Sequence, residues 1–294
     1  MFEIFGVPSQ AIFGQLTLGL INGAFYALLS LGLAVIFGVL NIVNFSHGAL
    51  YMLGAFGAWI LSNYLGIGYF GALIIVPIVA ALIGAVMERL LLARLYDLDH
   101  LYGLLLTFGI ALILQGVLRN YYGTSGLSYS IPPGLTGGTN LGFMFIPNYR
   151  AWVVLSSVAV CVATWIVIEK TRFGAYLRAA TENPALTGTF GINVPLLVTL
   201  TYSAGVALAA LAGVLAAPIY SVNPAMGSDL IIVVFAVVVI GGMGSIIGSV
   251  VTGFGLGLIE GLTKVFYPEG ASIVIFVIMG IVLIFKPGGL FGQR

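Results

Sequence analysis

The stretch 39-VLNIVNFSHGALYMLGA-55 sets Asn41, Asn44, Ser46 and His47 inside a run that holds no Asp, Glu, Lys or Arg from Glu3 to Glu88. One spanning helix takes roughly 20 apolar residues, so this run has room for several crossings. The gaps from Glu182 to Asp229 and from Asp229 to Glu260 are equally free of formal charge. Only 6% of the residues are charged, against about 25% in an average soluble domain, and the mean hydropathy is +1.17. A membrane β-barrel would alternate polar and apolar residues, whereas these runs are continuous. The expected fold is an all-α polytopic membrane protein forming a single transmembrane domain over 1–294. About eight transmembrane helices are expected, with one or two helices broken or re-entrant.

Apolar segments are predicted at about 11–31, 32–45, 49–65, 70–87, 101–118, 151–168, 196–219, 230–246, 248–265 and 271–286. The pieces 32–45 and 230–246 are short and each ends in a break, which makes them the candidates for re-entrant or half helices. Arg89 and Arg94, then Lys170, Arg172 and Arg178, then Lys286 and Arg294 mark three basic connections. Positive residues in short loops favour the cytoplasm. The connection 119–150 then faces outward, 169–195 forms a cytoplasmic loop, 220-YSVNPAMGSD-229 makes an outward turn, and the C-terminus lies inside. The side of the N-terminus depends on whether 32–45 crosses. MFEIFGVPSQ has no basic n-region, so no cleaved signal peptide is expected.

Several function classes fall away. A net charge of +1 gives no electrostatic footprint for nucleic acid. The single cysteine, Cys161, supports neither an internal disulfide nor a metal site. No GxxxxGK[ST] loop, HExxH or paired intramembrane carboxylate occurs, so no cofactor is expected and no catalytic residue is assigned. The glycines have a packing use, because helices in lipid associate through close backbone approach. Gly19, Gly23 and Ala27 form one small-residue ridge at four-residue spacing. Gly205, Ala209, Gly213 and Ala217 form a second, and Gly253, Gly257 and Gly261 a third.

Polar groups at membrane depth are tolerated where they face a cavity or each other. Asn41, Asn44 and His47 are three residues apart and would share a helix face, and Gly48 would let the backbone turn. Two uses are open for them: hydrogen bonds between helices, or the lining of a transport path. The segment 238-VVIGGMGSIIGSVVTG-253 interrupts a run in the other half, and Gly-interrupted segments in both halves point to a transporter site. Ser228 or Asp229 reads as the N-cap of the following helix. Glu260 and Lys264 read as an i,i+4 pair near a span's outer end.

In the loop 178–195, Asn183 then Pro184 reads as N-cap and N1, and Gly191 as the C-terminal cap. They frame a short helix, about 184–190, with Leu186 and Phe190 on one edge. It would serve as a docking element or lie on the lipid headgroups.

Four stretches carry a family resemblance: 22-NGAFYALLSLGLAVIFGVLNIVNFSHGALYMLGA-55, 178-RAATENPALTGTFGIN-193, 212-AGVLAAPIY-220 and 240-IGGMGSIIGSVVTGFGLGLIEG-261. Together they resemble the permease subunits of the branched-chain, or hydrophobic, amino acid ABC importers, nearest to the first and shorter of that system's two permeases. The resemblance implies a multi-pass protein of a bacterial or archaeal plasma (inner) membrane that does not hydrolyse ATP itself. It implies as partners a second permease, two cytoplasmic ATPase subunits and an external solute-binding protein. Carried onto this chain, it implies a substrate path near Asn22, Asn41, Asn44, Ser46, His47, Tyr51, Gly241, Gly242, Gly244 and Ser245. It also implies an ATPase-coupling segment at Arg178, Glu182, Asn183, Pro184, Leu186, Phe190 and Gly191. Related permeases carry urea or short amides. Some relatives have an acidic residue where this chain has Ala49, and the Glu-Ala-Ala pattern of other importers is incomplete at Arg178, Ala179 and Ala180. A channel or secondary transporter would instead draw on Asp229 or Glu260 for ion coupling, and an intramembrane enzyme would need a catalytic pair that the sequence lacks.

Overall fold

A computed structural model describes residues 3–4, 7–40, 43–96, 98–140 and 144–292. Eleven α-helices carry the described chain: α1 (Ser9–Leu40), α2 (Ser46–Leu65), α3 (Tyr69–Leu90), α4 (His100–Tyr122), α5 (Asn148–Lys170), α6 (Arg172–Glu182), α7 (Pro184–Thr189), α8 (Val194–Ala216), α9 (Met226–Gly241), α10 (Ile246–Phe266) and α11 (Val274–Phe285). Two short antiparallel pairs accompany them, β1 (Glu3–Ile4) with β2 (Val7–Pro8), and β3 (Gly138–Asn140) with β4 (Phe145–Pro147). Helices α1, α3, α4, α5, α8 and α10 are long and apolar enough to cross a membrane, and α9 and α11 are shorter apolar helices.

The bundle has two distinct ends. At one, Val39 of α1 packs with Phe173 and Leu177 of α6, Arg178 donates to Ile168 O at 3.0 Å, and Arg89 donates to Thr199 Oγ1 at 3.4 Å. Buried Glu88 accepts from Tyr96 (2.6 Å) and Thr199 (2.7 Å), which ties α3, its following loop and the start of α8 together. At the other end, Tyr149 Oη donates to Leu215 O at 2.9 Å and Trp152 Nε1 donates to Tyr69 Oη at 3.1 Å. The described parts of the connection, 123–140 and 144–147, cap that second end, and Thr17 of α1 reaches Met144 there. The N-terminal end of α1 therefore stands at the cap end and Leu40 at the basic end.

Helices α1 and α8 form the centre, and α3, α4 and α5 the periphery. In α1, 78% of the apolar core is buried, against 17% in α4. Ile74, Ile78, Leu82 and Val86 make an exposed apolar row along α3, as a lipid-facing helix requires.

The three glycine ridges do the central packing. A Cβ on Gly19 would come 2.5 Å from Gly257 O, and one on Gly253 would come 2.6 Å from Ala27 N. The first and third ridges thus lie face to face, antiparallel, along α1 and α10. The α8 ridge inserts between α1 and α2. A Cβ on Gly205 would meet Gly32 O at 2.8 Å, and one on Gly213 would fall on Tyr51 O. Only glycine permits such approach, and dispersion between the backbones then holds the pairs together.

Three sequence expectations are corrected. Segment 32–45 is no separate or re-entrant piece: α1 continues unbroken to Leu40. Gly32 does not interrupt it, because it is needed against Gly205 and His47. At 32 residues and 1.5 Å per residue, α1 is about 48 Å long, well beyond a hydrocarbon core of about 30 Å. Gly48 makes no turn, but lies inside α2. Segment 169–182, read as loop, contains the amphipathic helix α6.

Replacing Gly257 with Ala should lower the thermal unfolding midpoint of the detergent-solubilised chain, through overpacking of about 1–3 kcal/mol. Gly109→Ala, where a Cβ meets nothing within 4 Å, should leave it unchanged. Equal responses from the two variants would contradict the ridge packing.

Candidate functional site

Two helices start inside the bundle rather than at an end of it. His47 Nε2 lies 3.0 Å from Leu29 O, although α1 runs on for eleven more residues, to Leu40. The start of α2 thus stands about 16 Å back along α1 from Leu40. Likewise α8 finishes at the cap end, and 217–225 returns inward before α9 begins at Met226. The two starts meet: a Cβ on Gly48 would fall on Gly227 O, and one on Gly227 on Gly48 O. From that crossing α2 runs to the cap end and α9 to the basic end. This is the geometry of discontinuous helices meeting inside an inverted pair of units, and both partial positive helix ends point at the bundle interior.

Non-helical backbone at this depth must be satisfied by protein. Phe45 N donates to Thr107 Oγ1 of α4 at 3.1 Å. Asn44 Oδ1 accepts from Ser46 N (3.0 Å) and Ser46 Oγ (2.5 Å), and Asn44 Nδ2 donates to Tyr202 Oη at 3.1 Å. Asn44, Ser46 and His47 are buried and fully occupied in holding the break, apart from His47 Nδ1, which has no partner among the described residues. Asn44 precedes α2, so it shares no helix face with His47. Asn41 lies outside the described residues.

On the second break, Asn223 Oδ1 accepts from Ala225 N at 2.9 Å and its Nδ2 donates to Ser221 O at 3.1 Å. Asn223 therefore organises the start of α9, and Asp229 stands in the first turn instead of capping it. Val222 forms a two-way backbone bridge with Leu127 of the cap, at 2.8 and 2.9 Å. Segment 220–229, expected as an outward turn, is held to the cap at Val222 and leads back to the start of α9 at Met226. The Gly-rich stretch 241–248 is not the matching interior break. It is a tight turn at the basic end, where Gly242 (φ +103) and Gly244 (φ +83) use the left-handed region. Ser245 Oγ accepts from Gly248 N at 3.1 Å, Gly244 abuts Gly38, and Gly241 abuts Gly248.

A cavity of about 300 Å³ opens beside the crossing, at the small end of the range for small-molecule pockets. Its floor is the buried set Phe25, Tyr26, Tyr51 and Met226, and its rim includes the exposed Tyr220, Ser221 and Asp229. Two of the expected path residues, Asn22 and Tyr51, line it. Tyr220 donates to Asn22 Oδ1 at 2.9 Å and stacks edge-on against Phe25. Behind the wall, Tyr26 Oη donates to Glu260 Oε2 at 2.7 Å, and Glu260 also pairs with Lys264. Tyr220, Asn223 and Met226 were missed as site residues. The available signal was the Pro218 and Pro224 pair bracketing a polar stretch, which breaks α8 from α9.

At the basic end, Asn183 Oδ1 accepts from Leu186 N at 2.9 Å, and Pro184 opens α7. Phe190 is the C-terminal cap, and Gly191 follows it at φ +79. Leu186 and Phe190 are exposed, Phe190 to 77%. Arg178 is fixed on α6 by Ile168 O and Glu169, and Glu182 is the last residue of α6.

Comparison with known proteins places this architecture. The family described as "Branched-chain amino acid transport system / permease component" matches residues 15–283. The high-affinity branched-chain amino acid transport system permease protein BraD of Pseudomonas aeruginosa is 31% identical over 298 residues, covering 95% of each chain. The LivH permease protein of the same description from Salmonella typhimurium is 29% identical, covering 100% of this chain and 98% of its own. A probable branched-chain amino acid transport permease protein LivH of Methanocaldococcus jannaschii is 27% identical, covering 90% and 88%. No solved structure matches significantly.

Asn44→Ala should strip the acceptor from the α2 start and lower thermal stability by about 1–3 kcal/mol. Asn22→Ala, on the cavity, should lower it far less. The reverse order in a detergent thermal-shift assay would contradict the division between break and cavity.

Proposed function

The chain belongs to the permease-component family of branched-chain amino acid transport systems, and from that premise we propose that it forms half of the path of an ATP-driven importer of branched-chain amino acids. It is a multi-pass protein of the plasma membrane. The substrates printed for the relatives favour branched-chain amino acids over urea or short amides. The observation that carries the reading is the meeting of α2 and α9 at Gly48 and Gly227 beside a cavity, the arrangement that discontinuous helices make around a solute at membrane depth.

The proposed roles follow from position. The end with α6 and α7 carries Arg89, Lys170, Arg172 and Arg178 and is the cytoplasmic one, so the N-terminal end of α1 is external. Leu186 of α7 and its cap residue Phe190 form the contact for an ATPase subunit. A second permease completes the path, and two ATPases supply the hydrolysis. The 123–147 cap receives a solute-binding protein, and its Leu127–Val222 bridge would pass that contact to the cavity wall. Asn22 and Tyr51 touch the solute, whereas Asn44, Ser46 and His47 position the start of α2. Gly241, Gly242, Gly244 and Ser245 act at the inner end, where Gly244 lies against Gly38 of α1 and would transmit movement of the cytoplasmic end.

Purification of the tagged chain from its native membrane in mild detergent, followed by identification of what accompanies it, tests the assembly. Two ATPases and a second permease are expected, and a chain that purifies alone would overturn the reading. Leu186→Asp with Phe190→Asp should reduce ATPase recovery about tenfold or more, the cost of about 1.4 kcal/mol at a docking contact. The thermal midpoint should hold, because both side chains are exposed.

A further inference from the structure

The cavity has a charge and a pattern of donors that its own fold does not use. Among the described residues, the ion pairs are Arg178–Glu169 and Lys264–Glu260, and neither involves Asp229. No hydrogen-bond donor among the described residues reaches the Asp229 carboxylate, although it stands on the cavity rim. The Tyr51 side chain is 1% exposed, yet it lines the cavity and its hydroxyl has no protein partner among the described residues. That hydroxyl therefore faces the cavity as a free donor. Asn22 uses its Oδ1 on Tyr220, which leaves its Nδ2 donors free. Tyr26 is occupied by Glu260. Phe25, Met226 and Leu230 supply the apolar wall.

The lining therefore offers one anionic acceptor, neutral donors that include Tyr51 Oη and Asn22 Nδ2, and an aliphatic–aromatic surface. An ammonium, a carboxylate and an apolar side chain on one carbon satisfy all three together. A neutral amide or urea would gain no charge pairing from Asp229, which is exposed on the rim. We infer that this cavity binds the zwitterion of an apolar α-amino acid, with its ammonium on Asp229, its carboxylate on Tyr51 Oη and Asn22 Nδ2, and its side chain against Phe25, Met226 and Leu230. Asp229 is then the specificity-determining residue of the path, separating amino acids from uncharged solutes of the same size. The inference rests on the importer reading for the choice of solute, and its test does not depend on ATP.

The test uses the assembled complex in Cys161→Ala background with Ser221→Cys on the cavity rim as a reporter thiol. ATP-driven leucine uptake by the Cys161→Ala complex is recorded first, which tests the importer reading by itself. Thiol modification is then followed with the ethylammonium and the ethylsulfonate methanethiosulfonates, without ATP or binding protein. The cationic reagent should gain about tenfold or more over the anionic one, a modest share of what a unit charge a few ångströms away exerts near a protein surface. Asp229→Asn should abolish that gain. Millimolar leucine should protect the thiol, 4-methylpentanamide should not, and Asp229→Asn should remove the protection. Tyr51→Phe should weaken leucine protection several-fold while leaving the reagent ratio unchanged. Leucine protection that survives Asp229→Asn, equal protection by the amide, or no protection at all would overturn the inference. Any of these alongside intact uptake would leave the importer reading standing.

Discussion

Backbone that is not helical cannot face lipid, because its amides and carbonyls would have no partner. The rest of this molecule follows from meeting that constraint twice. Where α2 begins, Asn44, Thr107 and Tyr202 supply the missing hydrogen bonds. Where α9 begins, Asn223 and the Leu127–Val222 bridge do so. Each break needs protein on every side, so α1, α8 and α10 must crowd around the crossing, and they do so through glycine. The contact of Gly48 with Gly227 brings the two helix starts together and leaves room for the cavity beside them.

Much of this was readable in the sequence. Charge-free runs, basic connections and four-residue glycine spacing each have a single strong physical cause, and the helices and ridges stand where those causes put them. The short helix at 184–189 was legible because Asn183, Pro184 and Gly191 are local signals, each acting within one turn. The positions of the breaks were less legible. Gly48 looked like a hinge, yet the same absence of a Cβ serves a turn or a close approach, and only the neighbouring helix decides which. The inward return within 220–229 was not legible because its neighbour, the α2 start, is nearly 180 residues away in sequence. Asp229 looked like a cap for the same reason, since its place on a cavity depends on α1 and α2.

The described polar residues of the opening stretch are all buried and divide by their partners. Asn44, Ser46 and His47 Nε2 bond to the protein around the α2 start, while Tyr51, one turn further on, lines the cavity. In the proposed path the motif would build the frame, and the solute-facing groups would come from residues on either side of it.

In the proposed function, a cavity framed by two interior helix starts serves ATP-driven import. The most direct measurement is uptake of radiolabelled leucine by proteoliposomes holding the complex purified through this chain, with ATP placed at the α6–α7 face and a solute-binding protein at the cap face. The account predicts accumulation only when both are present. Equilibration of leucine without ATP would contradict it and identify a channel or secondary transporter instead.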